Sequence, residues 1–302
     1  MNGPKTLVEF MDMYKTEEDC RQALYNHKWP EGFVCPRCGH GRAYAHKKRL
    51  LFECAGCGHQ ASLTAGTVLH KTRVQLKKWF LAIYLMSQTK KTISAAELAR
   101  QLGIAPQTAW TMRRKIAEAM ARREGELMIT GAVEMDESFV GGISKGIRGR
   151  GALGKTPVAV MAGVSQAGGL TLAHMQAMGG VSGLSLEGAA QDYIAPGTDI
   201  LTDGLYAYRG MPVLGYGHEY LIQQRPEDAA RNLPWAHMTI SNFKRWVLDI
   251  FHGVSSKHLQ SYLDEFCYRL NRRKQRTDLF RRLLNRCVLY TGPVTYAQLT
   301  IS

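Results

Sequence analysis

Residues 133–142 read Val-Glu-Met-Asp-Glu-Ser-Phe-Val-Gly-Gly, and residues 200–204 read Ile-Leu-Thr-Asp-Gly. Each is a short apolar run of strand character that carries an aspartate at its end, Asp136 in the first and Asp203 in the second. An aspartate followed directly by glycine, as at Asp203-Gly204, leaves room for a ligand to approach the backbone. Two such carboxylates can hold a pair of divalent ions about 4 Å apart, one activating an attacking oxygen and the other stabilising the leaving one. Strand-end aspartates also serve as plain turn caps, so the surrounding pattern has to decide. Glu137 is adjacent to Asp136 but belongs on the opposite face of a strand, which reads it as structural or as a support to the ligands, not as a ligand.

Working outward, Ala132–Met135, Val158–Val164, Leu170–Met178 and Ile200–Leu201 are apolar runs of strand length, with Gly168-Gly169 as a hairpin turn between the second and third. A helix over Leu184–Tyr193 and long helices beyond the last strand complete an α/β unit over residues 129–275. Between the first two strands lies a Gly- and Arg-rich loop with Lys145, Arg148, Arg150 and Lys155 and no acid among them, suited to a DNA backbone. Arg269 to Arg286 holds eight basic residues, Arg272 and Arg273 among them, against Asp278 alone. That density beside two carboxylates reads as a DNA track, and residues 276–302 as a basic tail.

Upstream the pattern changes. Residues 1–30 hold an amphipathic helix with Leu7, Phe10 and Met11 at helical spacing, continued by Cys20, Ala23 and Leu24. Residues 31–63 carry Cys35-Pro-Arg-Cys38 and Cys54-Ala-Gly-Cys57, 15 residues apart, each pair followed by Gly and His. Two such knuckles make a closed four-thiolate zinc site, structural and not catalytic. Residues 64–128 are helical, and 95–114 fit a helix-turn-helix. Leu98, Ala99 and Leu102 line the first helix, Gly103 turns the chain, Pro106 opens the second helix, and Ile104, Ala109 and Met112 face inward. The outward positions are then Gln107, Thr108, Thr111, Arg113 and Arg114, a mixture of base-reading amides and hydroxyls with phosphate-binding guanidinium groups.

The 302 residues include 39 Lys and Arg against 25 Asp and Glu, a formal charge of +14 that favours a polyanionic partner. No secretory signal is visible, and the longest apolar stretch, Trp79–Met86, is far short of the about 20 residues that span a bilayer. A cytoplasmic protein without membrane contact is the expectation.

In the two knuckles, Thr64-Ala65-Gly66-Thr67, VEMDESFVGG (133–142), LTDGLYAY (201–208), Gly215-Tyr216-Gly217-His218 and HGVSSKHLQSYLDEFCYRLNRR (252–273), the chain resembles the bacterial zinc-ribbon DDE insertion-sequence transposases of the ISXO-two-like group. The resemblance runs from about Gly32 to Arg273. It implies an RNase H-like catalytic domain, two Mg²⁺ or Mn²⁺ ions on Asp136 and Asp203, and in-line attack on phosphorus by water and then by a DNA 3′-hydroxyl. It further implies double-stranded DNA as partner, both transposon ends and target, gripped by a homodimer or larger assembly. Many relatives place Glu five residues after a His; here His237 is followed at that distance by Asn242. The resemblance makes Asn242 the third catalytic residue, within a subset of the group that uses Asn. Lys244 joins as a phosphate contact, with His237 and Glu265 as auxiliaries. Glu265 has the simpler option of pairing with Arg269 one turn on. A DNA-binding regulator that has lost catalysis is the second reading, and Asn242 is its best support.

Overall fold

In the computed structural model, the residues described are 3–46, 50–88, 92–141, 154–222, 228–274 and 278–301. They form two compact units, one from residues 1–120 and 275–302 and the other from 121–274.

The first unit begins with two helices where the spacing predicts one, α1 (Leu7–Met13) and α2 (Glu17–Lys28). The break comes from Thr16. Its hydroxyl accepts from the Asp19 amide while the Asp19 side chain accepts from the Thr16 amide, a capping box that starts a new helix. A three-stranded antiparallel meander follows, β1 (Ala43–His46), β2 (Leu51–Cys54) and β3 (Gln60–Ser62). Its small core is aromatic: Trp29, Phe33 and Phe52 have ring centroids 5.0–6.1 Å apart. The helices α3 (Leu76–Gln88), α4 (Ala95–Leu102) and α5 (Pro106–Glu124) come next. Ser94 caps α4 and Gly103, at φ 56°, ends it in the left-handed region that favours glycine. With Pro106 as the first residue of α5, this is the helix–turn–helix geometry that the sequence pattern predicts.

The second unit is built on β4 (Ala132–Val140), β5 (Thr156–Val164), β6 (Leu170–Ala177), α6 (Gly183–Tyr193), β7 (Asp199–Asp203) and β8 (Gly217–Leu221). The strand order is β6-β5-β4-β7-β8, with β4, β5 and β6 antiparallel in sequence and β7 and β8 parallel to β4. This three-strand meander extended by two parallel strands is the RNase H-like arrangement. The Gly168-Gly169 turn closes the β5–β6 hairpin, with the Ser165 amide donating to the Gly169 carbonyl. β8 escaped the pattern because it is an edge strand whose residues are mostly exposed, so no apolar run marks it. The short α7 (Asp228–Asn232) leads to α8 (Pro234–Phe251) and α9 (Leu259–Asn271). α6 covers one face, where Val133, Met135, Ile200, Leu186 and Tyr208 pack together. On the other face Val158, Val160 and Val140 pack against Phe243, Val247, Leu263 and Phe266.

From 279 onward the chain rejoins the first unit with α10 (Leu279–Asn285) and α11 (Tyr296–Ile301). The stretch read as a basic tail therefore carries core residues: Phe280 is 1% exposed and packs edge-on against Phe10 at 5.7 Å. No helix among the described residues is long and apolar enough to cross a membrane.

Candidate active site and metal centres

β4 and β7 run side by side in parallel, with Glu134 opposite Leu201. Two residues further along each strand stand Asp136 and Asp203, level with each other and on the same face. One carboxylate oxygen each from Asp136, Glu137 and Asp203 lies within 4.8 Å of the other two. Backbone amides hold two of them in place. The Glu137 amide donates to Asp136 Oδ1 at 2.8 Å, and the Leu205 amide to Asp203 Oδ1 at 3.0 Å. Glu137 does leave from the opposite face of β4, where the Tyr208 hydroxyl donates to its Oε2 at 2.9 Å. Its length and its place near the strand end nevertheless bring it back to the cluster. Burial of Tyr208, with the Glu137 carboxylate next to it, pushes the phenol far above its usual range, so it stays a neutral donor. Three carboxylates this close repel one another unless a cation sits among them, and their spacing suits hard divalent ions.

α8 is anchored to the same strand. Glu134 Oε2 accepts from the amides of Trp235 and Ala236, at 2.6 and 2.9 Å, in the first turn of the helix. Burial raises the Glu134 pKa despite these two bonds. Glu134→Ala leaves two helix-end amides without an acceptor and costs about 1–3 kcal/mol. A urea midpoint unchanged by this substitution would show that α8 is held by its apolar face alone.

Around α8, His237 and Lys244 are seven residues apart and fall about 20° from each other, whereas Asn242 falls about 140° from His237. The His237 flank meets the carboxylates: His237 Nε2 is 3.4 Å from Asp136 Oδ2. Burial and the Lys244 charge lower the His237 pKa, so the ring is neutral near pH 7. Burial and the nearby Lys155 lower the Lys244 pKa, while Asp136 works in the opposite direction, which places the ammonium close to the carboxylates. Asn242 lies on the other flank of the helix. Its amide donates to Met238 Sδ on the flank where Met238 packs toward Ala162, Leu170 and Ala173. Glu265 is 0% exposed on α9, which packs along β6 at the far edge of the sheet from β7 and β8.

Several expected DNA contacts are used internally. Arg272 pairs with Glu124 and lies over the Tyr268 ring at 3.7 Å, and Arg273 donates to the carbonyls of Leu170 and Leu270. Lys145, Arg148 and Arg150 lie outside the described residues. On α5, Arg113 and Arg114 are 3% and 4% exposed and do not face outward. Arg113 donates to the Ile93 carbonyl, and Arg114 reaches the Leu299 carbonyl of α11 at 3.5 Å. The second helix is longer than the template assumed and its later turns are enclosed. Gln107 remains exposed and donates to the Tyr296 hydroxyl, while Thr108 and Thr111 are half-buried at the edge of an open recess.

The four knuckle cysteines converge with all sulfurs within 4.8 Å of one another. The Cys35–Cys57 and Cys38–Cys54 sulfurs are 3.7 and 3.6 Å apart. A tetrahedron with Zn–S bonds of about 2.3 Å has edges of about 3.8 Å, so the donor set fits zinc. Gly39 and Gly58, at φ 73° and 68°, turn each knuckle so that their amides reach back to the carbonyls of Cys35 and Cys54.

An ISXO2-like transposase domain matches residues 128–271, and a transposase zinc-ribbon domain matches residues 15–60. The chain is 25% identical over 276 residues to an uncharacterized protein in transposable element ISH50 of Halobacterium salinarum, covering 84% of this chain and 90% of that one. Among solved structures it is similar to the Mos1 strand transfer complex, 16% identical over 72% of this chain and 78% of that chain, TM-score 0.29. It is also similar to the simian T-cell lymphotropic virus intasome in complex with a PP2A regulatory subunit, 13% identical over 56% of this chain and 63% of that chain, TM-score 0.29.

Proposed function

We propose, of a chain that carries an ISXO2-like transposase domain behind a transposase zinc ribbon, that it is a DNA transposase that cuts and joins DNA strands. The observation that carries this is the convergence of Asp136, Glu137 and Asp203 within 4.8 Å on adjacent strand ends. Asp136 and Asp203 would hold two divalent ions, Mg²⁺ or Mn²⁺, which supply charge stabilisation and an activated oxygen nucleophile for in-line phosphoryl transfer. His237 orients Asp136 through its N–H, and the Lys244 ammonium meets a phosphate oxygen. The Tyr208 hydroxyl fixes one Glu137 oxygen and leaves the other as the third donor. DNA is bound through the helix-turn-helix at Gln107, Thr108 and Thr111, and two DNA ends call for a homodimer or larger assembly.

The resemblance assigns the third catalytic position to Asn242, and the flank it occupies on α8 favours Glu137 and His237 instead. His237→Ala should lower cleavage by about 10–100-fold, as loss of a partner that orients a metal ligand does, and Glu137→Gln, which removes the charge of a donor, by at least as much. Asn242→Ala should cost less than either, and Asn242→Glu should not raise activity. An Asn242→Ala loss that exceeds both would return the third position to Asn242. The activity itself is tested by incubating the protein with the element's own terminal sequences and Mg²⁺ or Mn²⁺. Strand transfer supports the transposase; tight binding to those ends without any cutting, in either ion, would make the chain a regulator.

A further inference from the structure

Beside the first turns of α5 the first unit holds a recess of about 490 Å³. Its floor is Trp79, Met112 and Val74, and its wall carries Thr108 and Thr111 from α5. His70, Lys71, Arg73 and Lys115 also line it, and no acidic residue is among its lining. Lys115 is half-buried, and burial lowers its pKa; its ammonium reaches the Val68 carbonyl at a long 3.4 Å. The buried Nδ1 of His70 has no hydrogen-bond partner among the described residues. Lys71 sits at φ 55°, a left-handed conformation that a non-glycine residue holds only at a cost. A half-buried lysine beside two exposed cations in one acid-free recess is a group that an anion would complete.

We infer that this recess seats a backbone phosphate of the DNA that α5 reads, with Lys71, Arg73 and Lys115 closing around it. The inference rests on the DNA-binding reading above and adds a clamp at the recess that Gln107 of α5 and Tyr296 of α11 also line. It replaces the enclosed Arg113 and Arg114 as the source of charge at the helix. Thr108 and Thr111, next to the seat, are then held at a fixed depth against the base edges.

The test measures binding of the full-length protein to duplex DNA by fluorescence anisotropy, without divalent ions, over a series of KCl concentrations. Lys71→Gln, Arg73→Gln and Lys115→Gln should each weaken binding to any duplex and flatten the slope of log K against log salt, the triple variant by about 0.9 and each single variant by part of that. Lys115→Arg should keep the wild-type slope. Lys71 and Arg73 are exposed, so their variants preserve the fold even if Lys115→Gln does not. Unchanged slopes in the Lys71 and Arg73 variants would overturn the clamp. So would saturable binding of inorganic phosphate, at constant ionic strength, that Arg73→Gln abolishes without altering DNA affinity, since the recess would then serve a free anion. Because no cutting is involved, a failure here leaves the catalytic reading to its own assay, and a catalytic failure leaves the slopes interpretable.

Discussion

Asp136→Ala and Asp203→Ala are each expected to reduce DNA strand cleavage by about 10³-fold or more while leaving binding to the element's ends nearly unchanged. Each carboxylate supplies negative charge to a site whose three acidic oxygens lie within 4.8 Å, and neither is among the residues proposed to touch DNA. Losing one ligand charge from a two-ion centre removes several kcal/mol of transition-state stabilisation, and every 1.36 kcal/mol is tenfold in rate. Asp136 is the more exacting position, because it also accepts from the Glu137 amide and faces His237 at 3.4 Å. Asp136→Asn retains an acceptor for the Glu137 amide but not the charge, so it should be as inactive as Asp136→Ala. A band-shift assay beside the cleavage assay checks this. Cleavage within tenfold of wild type in the Asp203→Ala protein would remove the two-ion site from consideration.

Stripping the ribbon of metal is expected to unfold it outright. The meander has only eleven residues in its three strands and one aromatic cluster as its core, and a structural zinc contributes about 10–16 kcal/mol to such a fold. One zinc per chain should be found by elemental analysis of protein purified without chelator. Adding a strong chelator, or making Cys35→Ser, should expose the amides of residues 43–62 to rapid hydrogen exchange while those of β4 and β5 remain protected. Protection of the ribbon that survives complete zinc removal would mean that Trp29, Phe33 and Phe52 hold it without metal.

The ribbon, the helix pair and four of the five strands of the catalytic-type sheet are legible in the linear chain because each follows from local rules. Thiolates three residues apart share one side of a turn, Gly103 and Pro106 mark the helix boundaries, and a buried strand shows as an apolar run. β8 was not legible, since an edge strand with one solvated side and polar His218 and Glu219 has no such run. The pairing of Asp136 with Asp203 was legible only as two strand ends; nothing local states that β4 and β7 are neighbours. Arg113 and Arg114 failed for a related reason. A helical wheel gives their direction around α5 but not what covers it, and the covering residues, Ile93 and Leu299, lie 20 and 185 residues from the arginines they meet.

Taken as a string of residues, the chain specifies its metal chemistry: four thiolates at knuckle spacing, two strand-end aspartates, and enough positive charge to want a polyanion. Those properties depend on residue type and short spacing, which one dimension contains. Which oxygens share an ion, which cations remain available to a ligand, and which flank of α8 faces the carboxylates are settled by packing between distant segments. Glu137 gains its place through Tyr208, 71 residues away, Asn242 and His237 fall on different flanks of the apolar face that seats α8 on the sheet, and Lys71, Arg73 and Lys115 line one recess because α5 lies against the loop before α3. Such contacts exist only when hydrophobic burial has closed the loops between them, and burial is a property of the whole fold.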